Sequence, residues 1–247
     1  PGHAAGDRRE RLMPASKLPG VGTTIFTVMS RLAAAAGAVN LGQGFPDFDP
    51  PARLRELVSV HLAAGHNQYA PMAGLPALAE AIAQQVARRH GWTVDPASEV
   101  TITAGATEAL FAAIHAVVCP GEEVVLLDPA YDSYAPAAAL AGARVVRVPL
   151  ALPDFRIDFG RLAAAIGPRT RLLVVNTPHN PSGAVLTAAD WERIADLLEP
   201  HDACVLSDEV YESLVFDGGT HAGALSNARL RERAFAALPR LGSGYLF

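Results

Sequence analysis

The sequence is poor in the residues that mark several protein classes. Only 18% of its 247 residues are charged and the formal net charge is −5, so there is no basic surplus to draw nucleic acid or an anionic membrane surface. No apolar run approaches the ~20 residues needed to span a bilayer; the longest, Ala109 to Cys119, is short and carries His115. Cys119 and Cys204 lie far apart in a sequence without CxxC, which predicts buried thiols in a reducing compartment rather than a disulfide or metal site. The charges from Asp7 to Arg11 have no apolar stretch behind them, so no signal peptide is predicted. Neither a Walker loop nor a G-x-S-x-G elbow is present. His61, His66, His90, His115, His201 and His221 lack metal-ligand spacing and read as surface or satisfied helix residues. Lysine is nearly missing: Lys17 is the single one among twenty basic residues. The expectation is a globular, cytoplasmic protein.

What is present in quantity is apolar side chain, 50% of the sequence, enough for a sizeable core and incompatible with disorder. The segment to about Val21 is polar and punctuated by Gly and Pro, as a flexible arm would be. Thr23–Ala36, Pro51–Ala64 and Gly74–Gly91 read as helices, the last closing on Arg88-Arg89-His90 before its glycine. From residue 99 short β-rich runs alternate with helical stretches: Val100–Thr103, Thr107–Val118, Glu123–Leu127, Tyr131–Ala141, Arg144–Leu150, Phe159–Ile166, Arg171–Val175, Ala188–Leu198 and Ala203–Leu206. That alternation predicts an α/β fold, a mostly parallel sheet with helices on both faces.

Ligands of such sheets bind beyond the carboxyl ends of the strands, and three junctions there are polar. At Thr103 to Leu110 a strand ends, Gly105 turns the chain and a helix begins. The N–H groups of Gly105, Ala106 and Thr107 would make a phosphate cradle there, although ordinary strand–turn–helix junctions look the same. Asn176-Thr177-Pro178-His179-Asn180-Pro181-Ser182-Gly183 holds more polar and turn-forming residues than a chain reversal needs, and its prolines stiffen Asn180. Ser207-Asp208-Glu209-Val210-Tyr211 brings an acid out of a buried strand, with Tyr211 three residues on and able to face the same ligand; a structural Asp is the plainer alternative.

Taken in order, these motifs resemble the class I/II aminotransferases, fold-type-I enzymes that use pyridoxal 5′-phosphate. The likeness runs from about Leu18 to Arg233. Leu41 to Phe48, Asn67-Gln68-Tyr69, Asp128 to Tyr134 and the loop from Asn176 look most like the methionine and kynurenine branch. The resemblance implies an N-terminal arm and small-domain segment over residues 1–45 and a cofactor-binding large domain over 46–247. It implies that Gly105, Ala106 and Thr107 hold the cofactor phosphate, Tyr131 stacks on the ring, and Asp208 pairs with the ring nitrogen and keeps it protonated. Asn180 and Tyr211 would bond the ring's phenolic oxygen. Gly42 and Asn176 would receive the substrate carboxylate, and Tyr69 would reach the cofactor phosphate of a neighbouring subunit in a homodimer. The implied reaction moves an amino group from an amino acid, of methionine or aromatic/kynurenine type, to a 2-oxo acid. No nucleic acid or membrane partner is implied.

The family also uses a lysine whose amine bonds the cofactor and shuttles the substrate proton. Arg231 to Phe247, where it is expected, contains none, and Lys17 sits in the arm, so no catalytic residue is assigned. Two alternatives stand beside the aminotransferase: a lysine-lacking fragment or binding protein of the same fold, and a C–S lyase on the same cofactor. The resemblance fades near Ala236. That predicts loss of the family's last sheet strand or strands, an unprotected sheet edge and a tendency to aggregate.

Overall fold

Helix ends follow local chemistry closely in the computed structural model, which describes residues 15–44, 46–240 and 243–246. α1 (Ile25–Ala36) begins at Thr24, whose hydroxyl accepts the Thr27 N–H, and ends at Gly37 in the left-handed region. α2 (Ala52–Ala63) follows Pro51. Both belong to the first of two compact units, which runs to Ala70; the second starts at Pro71. The sequence division at residue 45 falls earlier than this, because α2 and the turns after it group with the first unit. Phe45 and residues 1–14 of the expected arm lie outside the described residues.

The second unit opens with α3 (Pro76–His90), which has proline in its first turn, where a missing N–H costs nothing, and Gly91 at its end. There follow β1 (Thr101–Thr103), α4 (Ala106–Val117), β2 (Glu123–Asp128), α5 (Tyr134–Leu140), β3 (Arg144–Pro149) and α6 (Phe159–Ala165). Then come β4 (Thr170–Asn176), α7 (Ala188–Leu198), β5 (Cys204–Asp208), β6 (Ala234–Arg240) and β7 (Ser243–Leu246). One sheet takes the order β1-β7-β6-β5-β4-β2-β3. It is parallel from β6 to β3, and β7 runs antiparallel to both β6 and β1. The architecture is the α/β fold that the alternation predicts.

Period-two alternation builds a core on each face. Val125, Leu127, Leu173, Val175 and Val205 pack with Phe159 and Leu162 of α6 and Trp191 and Ile194 of α7. Their neighbours Val124, Leu126, Leu172, Val174 and Leu206 pack with Leu110 and Ile114 of α4 and Ala138 of α5. Each such buried side chain contributes about 1.5–3 kcal/mol of transfer free energy. α7 is further fixed by a reciprocal cap between Thr187 and Asp190. Register then sets the site: Asn176 pairs with Asp208 at the carboxyl ends of β4 and β5, and Asp208 pairs with Ala237 in the middle of β6.

Four expectations are corrected. The sheet does not stop at β5: β6 covers that edge, and β7 links β6 to β1. The alanine-rich run from Ala234 carries little β signal, which is why the sequence pattern passes over it; Leu241, Gly242 and Phe247 lie outside the described residues. α5 starts at Tyr134, since Asp132 and Ser133 form a turn. The thiols are not buried: Cys119 is exposed, in the turn after α4, and Cys204 is half-buried, both free. His221 and His90 are not surface or satisfied residues, because each ring is nine-tenths buried and leaves one nitrogen without a hydrogen bond. Among the described residues no helix is long and apolar enough to cross a membrane.

Candidate functional site

Ala106, Thr107, Leu110, Tyr131, Tyr134, Asn176, Asn180, Asp208, Val210 and Tyr211 line one cavity of about 130 Å³. It opens where α4, the loop before α5 and the ends of β4 and β5 converge. Gly105 stands immediately before it as the residue that starts α4, with φ +97, a backbone state that side chains disfavour. The first-turn N–H groups that follow have no intrahelical acceptor and stand at the positive end of the helix dipole.

Asp208 is the buried charge of this cavity, 4% exposed. Its Oδ2 accepts the Tyr134 hydroxyl at 2.5 Å and its Oδ1 the Val210 N–H at 3.3 Å. Burial raises its pKa above the ordinary carboxylate value; the Tyr134 and Val210 hydrogen bonds oppose that rise, and the neighbouring charge of Glu209 adds to it. Tyr134 is pushed upward in turn by burial and by the Asp208 charge, so it stays a donor. Tyr131 meets Tyr134 edge-on, with ring centroids 5.8 Å apart, and burial raises its pKa too.

Asn176 ties the loop to the strands. Its Nδ2 donates to the Asp208 carbonyl at 2.9 Å and its Oδ1 accepts the Asn180 N–H at 2.7 Å. His179 pins the same loop to the one carrying Tyr131: Nε2 lies 2.8 Å from the Pro129 carbonyl and so donates to it, leaving Nδ1 to accept the Ser182 hydroxyl at 2.7 Å. Burial lowers the His179 pKa, which keeps the ring in that neutral arrangement.

The structure thus gathers Ala106, Thr107, Tyr131, Asn176, Asn180, Asp208 and Tyr211 around one space, with Gly105 beside them. Gly42 and Tyr69 belong to the first unit and are not among the lining residues. Gly42 donates its N–H to Asn40 Oδ1 at 3.0 Å, and a Cβ there would lie 3.0 Å from Met29 Cβ. Tyr134 and His179 carry no assigned role in the sequence. A second tyrosine three residues after Tyr131 is the signal that marks the first; the second has none outside the loop itself. Chemically, the cavity offers an anion-binding helix end, a buried carboxylate suited to a cationic N–H, and an aromatic wall between amide and phenol donors.

Residues 36–236 match the family described as aminotransferase class I and II. The methionine aminotransferase of Escherichia coli K12 is 53% identical over 225 residues, covering 91% of this chain and 58% of the relative. A probable N-succinyldiaminopimelate aminotransferase of Mycobacterium tuberculosis is 49% identical over 212 residues, 85% of this chain and 53% of that protein. A solved Escherichia coli structure, reported with a methionine aminotransferase function, superposes with a TM-score of 0.91 at 50% identity, covering 95% of this chain and 64% of that one. The chain spans between about half and three-fifths of the length of these two curated relatives. With a match of that extent and a fold of that likeness, the chain belongs to the class I and II aminotransferase family.

Proposed function

We propose that the protein is a pyridoxal 5′-phosphate-dependent aminotransferase that moves an amino group from an amino acid to a 2-oxo acid. The observation that carries this reading is one cavity lined both by a buried carboxylate, Asp208, and by the first turn of α4. The donor set fits the cofactor: an anion cradle for its phosphate and the buried acid Asp208 for its ring nitrogen. When bound, the cofactor supplies an electron sink for the pair released as the substrate's α-proton leaves.

The residues divide the remaining work. Gly105, Ala106 and Thr107 bind the phosphate through N–H groups and the Thr107 hydroxyl. Asp208, oriented by Tyr134, holds a proton on the ring nitrogen. Tyr131 covers a ring face and excludes water from it, while Asn180 and Tyr211 orient the ring through its phenolic oxygen. Asn176 stiffens the Asn180 loop and receives the substrate carboxylate. Tyr69, fully exposed, is free to serve a second subunit's cofactor in a homodimer. The methionine or aromatic/kynurenine class is the favoured substrate, supported by the motifs of the Leu41 and Asp128 segments and by the name of the Escherichia coli relative. The name of the Mycobacterium relative warns that overall likeness does not fix the substrate.

The test is titration of pyridoxal 5′-phosphate into purified protein, followed by incubation with methionine and a 2-oxo acid. Appearance of the exchanged keto acid supports the reading. Released thiol and ammonia would instead indicate a C–S lyase. The single lysine, Lys17, favours one other reading of these 247 residues, that they hold the cofactor without bonding it. Borohydride reduction and mass spectrometry decide: a pyridoxyl adduct excludes that reading, and failure to bind the cofactor at all overturns both.

A further inference from the structure

Glu209, the residue after Asp208, is fully buried and turns away from the cofactor cavity. Its Oε1 accepts the Ser207 hydroxyl at 2.8 Å and the Ala224 N–H at 2.9 Å, and its Oε2 lies 2.7 Å from His221 Nε2. The other nitrogen of that ring, Nδ1, is buried without a partner, so the ring is placed by its bond to Glu209. The two stretches of chain lie so close that a Cβ on Gly223 would collide with Oε2. The anchoring stretch is itself held, because the Ala222 carbonyl accepts the Trp191 Nε1–H of α7 at 2.7 Å. A buried carboxyl costs the fold more than an apolar side chain of its size. What it supplies here is attachment: residues 221 and 224 grip the chain at the point where β5 ends.

From that grip to the cavity the route is one peptide group long. The Asp208 backbone is fixed by β4 and its loop, since its carbonyl accepts the Thr177 N–H at 3.0 Å and Asn176 Nδ2 at 2.9 Å. Glu209 donates its N–H to the Ala237 carbonyl of β6 at 2.9 Å. The next N–H, of Val210, stands where a turn begins and donates to Asp208 Oδ1 at 3.3 Å. That N–H belongs to the peptide group joining Glu209 to Val210, so the place of Glu209 decides where the donor stands. The bond is already long, and a shift of a few tenths of an ångström takes it out of hydrogen-bond range. Oδ2 would keep the Tyr134 hydroxyl, leaving the carboxylate held at one oxygen and able to rotate about it.

We propose that Glu209, clamped by Ser207, His221 and Ala224, is the positioning residue that aims the Asp208 carboxylate into the cavity; its expected effect on cofactor binding rests on the reading of that cavity given above. Three variants are compared with the parent, each checked for folding by circular dichroism. Glu209→Ala removes the clamp, Gly223→Ala pushes the carboxylate aside while deleting nothing, and Glu209→Gln keeps an acceptor for the Ala224 N–H. Hydrogen–deuterium exchange of the ligand-free protein, read by mass spectrometry, should rise over residues 209–214 in the first two and stay at the parental level in the third, with β2 and β4 unchanged in all. Cofactor affinity should fall roughly tenfold in Glu209→Ala and return to within about threefold of the parent in Glu209→Gln. Made in Asp208→Asn protein, Glu209→Ala should cost no more than about twofold, because the charge being aimed is already gone. A merely structural role would raise exchange across the whole sheet and cost the same factor in both backgrounds. Should Glu209→Ala fail to fold, Gly223→Ala takes its place in both measurements. Exchange over residues 209–214 that neither change raises, or equal losses of affinity in the two backgrounds, overturns the proposal. If exchange rises as expected and the parent binds no cofactor, the aiming of Asp208 stands and the reading of the cavity falls.

Discussion

Replacing Asp208 by Asn separates what this side chain does for a ligand from what it costs the fold. The carboxylate is almost fully buried, and its pKa is raised by that burial despite the Tyr134 and Val210 hydrogen bonds. A carboxyl with a raised folded-state pKa contributes stability that is complete below its unfolded value of about 3.9 and is lost as pH rises through the folded value. At pH 7, well above the unfolded value, this carboxyl therefore lowers the stability of the ligand-free protein, because its buried place favours the proton that the unfolded chain has already released. Asparagine keeps the shape and an acceptor for Tyr134 but no charge. Asp208→Asn should therefore stabilise the ligand-free protein at pH 7 by about 1–3 kcal/mol, raising Tm by a few degrees, with the gain fading as the pH approaches 4. The same change removes the carboxylate proposed to meet the cofactor's ring nitrogen, a charge-assisted bond of about 1.5–3 kcal/mol, so affinity should fall roughly 10- to 100-fold. Urea unfolding between pH 4.5 and 8 reads the first effect and cofactor titration the second. A variant no more stable than the parent at pH 7, or one that binds the cofactor equally well, would refute the reasoning.

Two further changes test neighbouring parts. Tyr134→Phe deletes the 2.5 Å donor to Asp208 and should destabilise the ligand-free protein by about 1.5–3 kcal/mol in urea unfolding; in the Asp208→Asn background the loss should be smaller, as a double-mutant cycle would reveal. Thr187→Ala breaks the cap of α7, in which the Thr187 hydroxyl accepts the Asp190 N–H, and should cost about 1 kcal/mol of stability. Because Thr187 does not line the cavity, cofactor affinity should be unchanged in the same preparation.

The alternation of runs from residue 99 was legible because each strand buried on both faces is a continuous apolar run and each helix begins or ends on a recognisable residue. Ala188–Leu198 coincides with α7, since Thr187 and Asp190 state its start chemically. The glycine turn, Asn180 and Asp208 were legible because ligands of parallel sheets gather at strand ends, whereas Tyr131 was implied only by the family resemblance. Other features have no local mark. Tyr134 and Asp208 are 74 positions apart, and only the packing of α5 near the end of β5 makes them partners. His179 serves through backbone geometry, bonding a carbonyl 50 positions away. β6 is an alanine run whose place is set by the edge it covers, not by its own propensity. His90 and Glu212 approach each other across 122 positions, with nothing local to mark either.

The end of β5 shows how one short strand serves two environments. Side chains alternate in an extended chain, so Ser207 and Glu209 bond one another on one side while Asp208 enters the cofactor cavity on the other. Adjacent acids facing opposite ways still feel each other: the Glu209 charge is one of the causes that raise the Asp208 pKa. Glu209→Gln keeps the shape and removes that charge, so Asp208 should ionise at lower pH. The pH window in which stability declines must then close from its upper end, giving a shallower dependence of unfolding free energy on pH above 4.5 than in the parent protein. Burial, the larger cause, stays in place, so the decline should shrink without vanishing. A slope unchanged by Glu209→Gln would mean that the two faces of the strand are electrically separate, and that burial alone sets the state in which Asp208 meets its ligand.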